Sequence, residues 1–141
     1  MHSSNNQSST QTPQLIANVS DGVLVLAINR PERRNAMSPE IYSAMLDSLT
    51  NAVDDKDIGA IVLTGTGNAF SAGGDVARMA GATAEELTYE QKIARLRNRA
   101  RISEMLHTMD KPTIAMIRGP AVGACQREVA GARRLAHRRG R

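Results

Sequence analysis

Hydrophobic and polar positions change character several times along the chain, and these changes predict where its elements begin and end. Residues 1–13 are almost entirely Ser, Asn, Gln and Thr, so we expect a disordered polar leader with little to bury. Two apolar, β-branched runs follow at 15–19 and 23–29, separated by Ser20-Asp21-Gly22. An Asp-Gly pair between two such runs is typical of a β-hairpin.

A helix is predicted to begin at Pro39. Ser38 can accept hydrogen bonds from the free N–H groups of a first turn, and a proline at the first helical position loses nothing by lacking its own N–H. Apolar residues then recur at helical spacing on one face, namely Ile41, Ala44, Met45, Leu49, Ala52 and Val53. This stripe predicts an amphipathic helix that packs on a core.

The following segments alternate between buried strands and a second helix. Apolar runs at 60–64 and 113–117 predict short buried strands. Between them a longer helix is predicted from about Ala84 to Met109, with its apolar face at Ile102, Met105, Leu106 and Met109. Strands joined by helical crossovers pair in parallel, so the pattern predicts an α/β fold.

Composition excludes several classes of protein. The 141 residues include no Trp, one Phe and two Tyr, which rules out an aromatic surface for stacking nucleic-acid bases. The single cysteine, Cys125, excludes an intramolecular disulfide framework and a paired-cysteine zinc site, and the three histidines lack metal-ligand spacing. No run of 18 apolar residues is present, so we expect a soluble, cytoplasmic protein without a membrane partner.

The net charge of +4 is concentrated at one end of the chain. Residues 127–141 hold six arginines and one glutamate, whereas the preceding 126 residues carry twelve basic and thirteen acidic side chains. A basic segment can bind nucleic acid or an anionic membrane. This one has no aromatic residue, and Val129 and Leu135 are its only larger apolar residues. We therefore expect a solvated or nonspecifically adhesive tail and no specific nucleic-acid partner.

Two predicted strands run directly into small residues. One is followed by Phe70-Ser71-Ala72-Gly73-Gly74-Asp75 and the other by Gly119-Pro120-Ala121-Val122-Gly123-Ala124. Small residues let a ligand approach the backbone, and two N–H groups that converge on one point form an oxyanion hole. The same glycines would also serve simply to make turns, and spacing alone leaves both interpretations open.

Two other glycine-rich sites fit the sequence poorly. Gly65-Thr66-Gly67 begins like a dinucleotide-binding loop, but Phe70 occupies the position of the third glycine, which close packing requires. No Gly-Lys-Ser or Gly-Lys-Thr follows, so the segment is not a nucleotide P-loop either.

Three ordered motifs resemble the enoyl-CoA hydratase/isomerase (crotonase) superfamily: INRPERRNAMSPE, IVLTGTGNAFSAGGDV and KPTIAMIRGPAVGA. The resemblance covers residues 14–124 and implies a partial, truncated ClpP/crotonase-like spiral fold of ββα units. It places the first oxyanion-hole N–H on Ala72 and the second on Ala124, and it implies that Ala72, Gly73, Gly74 and Asp75 line the acyl-CoA site. It also implies an acyl-CoA thioester substrate, no cofactor beyond that CoA, and homotrimers or hexamers for the family.

The sequence departs from the family pattern after Ala124. The resemblance would place a glutamate that activates water at residue 127, which is Arg127; Glu128 next to it would point about 100° away on a helix. The second family glutamate would fall beyond residue 141. Residues 125–141 form a basic, non-family tail. When residues 130–140 are back-translated and the reading frame is shifted by one nucleotide, degenerate codons permit a stretch that resembles the family continuation. We therefore expect this tail to be a frameshift product, which sequencing of the coding DNA would test.

Two functions remain open from the sequence. The first is an acyl-CoA-processing enzyme, a lyase or isomerase of the enoyl-CoA hydratase/isomerase type. The second is a noncatalytic CoA-binding fragment or an inactive product of a frameshifted gene. The roles of Arg30, Arg33 and Arg34 are also undecided, because these side chains would suit either binding of CoA phosphates or a solvated loop. His107 is expected to cap the end of the long helix, where a cation interacts favourably with the helix dipole.

Overall fold

The chain begins with a hairpin that forms one edge of a sheet. The computed structural model describes residues 14–75 and 86–123 and the backbone of residues 134–137. Strands β1 (Leu15–Ser20) and β2 (Val23–Ile28) pair antiparallel, and Asp21 and Gly22 of the turn between them have positive φ angles of 51° and 77°. The predicted hairpin is confirmed.

The remaining strands extend this sheet in chain order. Strand β3 (Ala60–Gly65) pairs parallel with β2, and β4 (Thr113–Ile117) pairs parallel with β3. A fifth strand, β5 (Arg134–His137), pairs parallel with β4. The spatial order is β1-β2-β3-β4-β5, which confirms the predicted α/β class and its parallel pairs.

Helix α1 (Pro39–Asp54) follows the predicted signals closely. Ser38 Oγ accepts a hydrogen bond of 3.3 Å from the Ile41 N–H, and proline stands at the first helical position. The predicted apolar stripe is buried except at Val53, which is 43% exposed. Including Val53 in the buried face was wrong, because the helix has reached its last turn there and ends at Asp54.

The second long helix, α2 (Tyr89–Thr108), begins later than predicted. Thr88 Oγ1 accepts from the Gln91 N–H at 3.2 Å, and Gln91 Oε1 accepts from the Thr88 N–H at 3.0 Å. This reciprocal cap fixes the start, so the predicted start near Ala84 was wrong. The first half of α2 is exposed, whereas Ile102, Leu106 and the following Met109 are buried as predicted.

The core lies between the two helices and one face of the sheet. Leu24, Leu26 and Ile28 alternate inward along β2, and Ile61 and Leu63 do so along β3. Helix α1 contacts α2 and the hairpin. Neither of the two helices described is both long and apolar enough to cross a membrane. This packing places the loops that follow β2, β3 and β4 at one edge of the sheet.

Part of the predicted organisation lies outside the described residues. This applies to the leader at 1–13 and to most of the tail at 125–141. The backbone of 134–137 is described, and it forms the fifth strand, an element that was not predicted from the sequence.

Candidate functional site

Three loops meet at the carboxyl edge of the sheet. We call them the first loop (residues 29–38, after β2), the second loop (66–75, after β3) and the third loop (118–123, after β4). They meet because parallel strands all end at the same edge. The motifs that carried the sequence resemblance lie on these three loops, although they are separated along the chain.

The second loop lies between the other two and is hydrogen-bonded to both. On one side, the Met37 N–H donates to the Gly73 carbonyl at 2.7 Å, and Met37 forms a parallel bridge with Gly74. On the other side, the Val122 N–H donates to the Ser71 carbonyl at 3.0 Å. The loops therefore extend the sheet pattern beyond the strands, and the main chain of the second loop is held from two directions.

Asn35 joins the first and second loops through its side chain. The side chain is fully buried and makes three hydrogen bonds. Its Oδ1 accepts from the Arg30 N–H at 2.8 Å, and its Nδ2 donates to the carbonyls of Thr66 at 2.8 Å and Ala69 at 2.9 Å. Asn35 has a φ of 57°, a left-handed conformation that asparagine tolerates better than most residues. The backbone turn thus places this amide where both loops need it.

Arg30 and Asp75 form an ion pair that joins the first and second loops. Arg30 Nη1 lies 3.0 Å from Asp75 Oδ2 and also donates to the Ala36 carbonyl at 2.9 Å. The two side chains are only 13% and 10% exposed, so solvent screens this pair weakly. Asp75 therefore anchors the second loop to the first loop. Arg33 and Arg34, in contrast, are exposed.

Two glycines are required where the loops approach each other. Gly73 has a φ of 91°, and a Cβ on it would lie 2.7 Å from the Val122 carbonyl oxygen. Gly119 has a φ of 76°, and a Cβ there would lie 2.1 Å from the Asn68 carbonyl oxygen. Both separations are shorter than van der Waals contact allows. These positions therefore need glycine for space as well as for backbone conformation.

The amide of Ala72 is already used within the chain. Its N–H donates to the Arg34 carbonyl at 2.9 Å, so it points toward the first loop. Donation to a bound carbonyl, as the resemblance implied for Ala72, would require this hydrogen bond to break. The side chain of Ala72 is exposed, and its role as a donor stays a prediction.

The amide of Gly74 points the other way. A trans peptide is planar, so the Gly74 N–H is directed opposite to the Gly73 carbonyl, which points at Met37. Within residues 14–75 and 86–123 this N–H makes no hydrogen bond, and Gly74 is half-buried. The sequence did not single out the Gly74 N–H, because its direction depends on the hydrogen bonds that Ala72 and Gly73 make with a distant loop.

The remaining predicted residues are placed as follows. Ala72, Gly73, Gly74 and Asp75 all lie at the junction of the loops. Ala124 lies outside the described residues, as do Cys125, Arg127 and Glu128. Gly123, directly before Ala124, approaches Gly73 closely, since a Cβ on Gly123 would lie 3.5 Å from the Gly73 Cα. The two small-residue bends are therefore brought together as far as they are described.

Other potential sites are less informative. In the described part of the chain no three His, Cys, Asp or Glu side chains lie close enough to hold a metal ion. His107 lies exposed in the last turn of α2, where the sequence placed it. Two surface depressions lie along α2, one beside Tyr89 and Ile93 and the other beside Tyr42. Neither of these two depressions includes a residue of the second or third loop.

Comparisons with known proteins agree with this arrangement. A protein of Thermus thermophilus, named as a candidate enoyl-CoA hydratase, is 41% identical over 100 residues, which are 71% of this chain and 39% of that protein. A 4-chlorobenzoyl coenzyme A dehalogenase of an Arthrobacter species is 39% identical over 103 residues, covering 73% of this chain and 37% of the dehalogenase. The matched segment therefore spans less than half the length of these relatives.

The structural comparison gives the same result. The crystal structure of a candidate enoyl-CoA hydratase/isomerase (crotonase) from Legionella pneumophila superposes with a TM-score of 0.80 at 27% identity. The match covers 90% of this chain and 48% of that one, so the α/β fold corresponds to about half of a crotonase structure. The sequence profile of the enoyl-CoA hydratase/isomerase family matches residues 18–127. On the three motifs, the loop junction and these matches, the chain belongs to the enoyl-CoA hydratase/isomerase family.

Proposed function

We propose that the loop junction binds an acyl-CoA thioester and polarises its carbonyl group, which is the first step of chemistry of the enoyl-CoA hydratase/isomerase type. The observation that carries this proposal is the Gly74 amide, which points away from Met37 and makes no hydrogen bond within the described residues. Family membership supports the choice of ligand. No organic cofactor is required beyond the CoA of the substrate.

The proposed chemistry needs only backbone groups. The carbonyl oxygen of a thioester gains negative charge when the acyl group becomes an enolate. Amide donors that are already oriented stabilise this charge without reorganising, and loss of one such donor typically costs about 3–4 kcal/mol of barrier. A second loop held by hydrogen bonds on both sides is suited to this task because it keeps its amides in fixed positions.

We assign the first donor to Gly74 instead of Ala72. The Ala72 N–H is committed to Arg34, whereas the Gly74 N–H is directed away from the first loop. The second donor remains Ala124, as the resemblance implies. The approach of Gly123 to Gly73 supports this pairing, because it brings the backbone preceding Ala124 next to that preceding Gly74.

Catalysis of hydration by this chain is not part of the proposal. The resemblance would place a water-activating carboxylate at residue 127, and this position is Arg127. Without a general base, carbonyl polarisation alone does not add water to an enoyl group. The second candidate function, a noncatalytic CoA-binding form, is favoured by this one substitution. We expect hydration of crotonyl-CoA by the 141-residue chain to stay at background.

The test observes polarisation directly, without requiring turnover. Crotonyl-CoA labelled with ¹³C at the carbonyl is added to the protein, binding is measured by titration calorimetry, and the carbonyl resonance is recorded. Hydrogen bonds to the oxygen draw electron density from the carbon, so we expect a downfield shift on binding. No binding heat at millimolar ligand, or binding without any shift, would reject the proposal.

Backbone ester variants identify the donor. Replacing Gly74 by glycolic acid exchanges its N–H for an oxygen and changes no side chain, so the shift should be reduced. Replacing Ala72 by lactic acid is the matched control, because it removes the N–H that bonds to Arg34. We expect the shift to survive in this control. The reverse result would restore Ala72 as the donor.

A further inference from the structure

Ser71 joins the second loop to both of its neighbours. Its N–H donates to the Pro120 carbonyl at 3.2 Å, and its carbonyl accepts from the Val122 N–H at 3.0 Å. Its side chain is fully buried and faces the first loop, where Oγ donates to the Asn35 carbonyl at 2.7 Å. The same Oγ accepts from the Gly73 N–H at 3.1 Å. The hydroxyl therefore links the Asn35 carbonyl of the first loop to the Gly73 N–H of the second loop.

Gly73 is held at both of its backbone groups. Its N–H is bound by Ser71 Oγ, and its carbonyl is bound by the Met37 N–H at 2.7 Å. A glycine at a φ of 91° has more rotational freedom than any other residue, so these two bonds are what fixes it. The carbonyl of Gly73 and the N–H of Gly74 belong to one planar peptide unit. Fixing Gly73 therefore fixes the direction of the Gly74 N–H.

The hydroxyl is itself held in place by Asn35. Asn35 adopts a φ of 57° and follows Arg34 at 50°, and this turn directs two consecutive carbonyls at the second loop. One carbonyl receives the Ala72 N–H and the other receives Ser71 Oγ. The Asn35 side chain meanwhile ties the turn to the start of the second loop.

We infer that Ser71 and Asn35 are positioning residues for the Gly74 amide. The buried Ser71 hydroxyl donates to the Asn35 carbonyl and accepts from the Gly73 N–H, so it holds Gly73 and thereby fixes the direction of the Gly74 N–H. What the amide binds rests on the proposed function, but its orientation does not. The strength of a hydrogen bond falls steeply once its angle drops below about 120°. A small rotation of the peptide would therefore weaken donation to a carbonyl without removing any group that touches the ligand.

The first test uses the full-length, ligand-free chain, labelled with ¹⁵N. Ser71→Ala removes the hydroxyl, and Ser48→Ala is the matched control because Ser48 Oγ is also buried and also donates to a carbonyl, that of Ala44 at 2.8 Å. We expect the Gly73 amide of Ser71→Ala to exchange with solvent about five- to tenfold faster, the effect of losing one hydrogen bond. The residual dipolar coupling of the Gly74 N–H should change, while the couplings of β2 and β3 do not.

Two outcomes overturn the inference. One is that the residual dipolar coupling of the Gly74 N–H changes no more in Ser71→Ala than it does in the Ser48→Ala control. The other is a change of equal size across the whole sheet, which would indicate general loosening. If Ser71→Ala does not fold, an ester at Gly73, made with glycolic acid, removes the same hydrogen bond from the donor side. A Gly74 coupling unchanged in this ester variant would equally refute the inference.

A ligand experiment separates this inference from the proposed function. Carbonyl-labelled crotonyl-CoA bound to Ser71→Ala should show a smaller downfield shift than when bound to the wild type, with little change in affinity. If the wild type gives no shift, the proposed function fails, while the ligand-free coupling still decides the role of Ser71. If the wild type gives a shift that Ser71→Ala retains in full, the inference fails and the proposed function stands.

Discussion

The hydrogen bonds of Asn35 can be measured by replacing it with glycine. Asn35→Gly keeps the left-handed backbone at a φ of 57° free of strain, but it deletes three side-chain hydrogen bonds of 2.8, 2.8 and 2.9 Å. At about 1 kcal/mol net for each bond, the variant should lose about 3 kcal/mol of unfolding free energy. This is a large fraction of the total stability of about 5–15 kcal/mol that is typical of a small domain.

The matched control is Asp21→Gly in the β1–β2 turn. Asp21 has a similar φ of 51° but is exposed, so this change tests the backbone effect of glycine alone. We expect its unfolding free energy to stay within about 1 kcal/mol of the wild type. The difference between the two variants therefore isolates the side-chain hydrogen bonds of Asn35.

Urea unfolding followed by far-UV circular dichroism measures both variants. With a slope of about 2 kcal/mol per molar urea, the midpoint of Asn35→Gly should fall by about 1.5 M. Asn35→Asp is a second check, since it keeps the shape and the acceptor for Arg30 but places a carboxylate oxygen against two carbonyls. It should be at least as destabilising. A difference below about 1 kcal/mol between Asn35→Gly and Asp21→Gly would refute the view that this amide holds the loops together.

Three further predictions concern the same framework. Gly119→Ala should destabilise the protein by more than about 2 kcal/mol, because its Cβ would lie 2.1 Å from a carbonyl oxygen. Gly59→Ala is the control and should cost less than about 1 kcal/mol, because the nearest atom to its Cβ would be 3.7 Å away. Thermal unfolding compares the stability of the two variants. Lys111→Met removes an ammonium that donates to two carbonyls at the end of α1, so amide exchange in the last turn of that helix should accelerate about fivefold. A double-mutant cycle of Arg30→Gln and Asp75→Asn should give a coupling of about 1–3 kcal/mol, and additive effects would mean that the ion pair does not stabilise the loop.

Short-range signals predicted most of the fold. The Asp-Gly turn, the Ser38-Pro39 helix start and the apolar strands each depend on neighbours within a few residues, and the structure confirms them. The start of α2 was misplaced because the reciprocal Thr88–Gln91 cap was not recognised. That cap is visible in the sequence as a Thr followed three residues later by Gln, so this error could have been avoided.

The candidate site was predictable only in part. The sequence located the two bends of small residues, and the structure brings them together at Gly73 and Gly123. Which amide stays available could not be read from the sequence. It depends on two hydrogen bonds to another loop more than 35 residues away. The Ala72 N–H donates to the Arg34 carbonyl, and the Gly73 carbonyl accepts from the Met37 N–H. Small-residue motifs thus indicate where backbone is accessible, but distant partners decide which N–H remains to donate.

The agreement between strand order and chain order has a consequence for synthesis. Each new strand from β2 to β5 pairs with the strand made immediately before it, so no strand must wait for a later one to be inserted beside it. A nascent chain emerging from the ribosome could therefore add strands one at a time onto a template that already exists, with α1 covering the hairpin early. Arrest of translation after β3 should accordingly leave a protease-resistant nucleus built from the hairpin, α1 and β3.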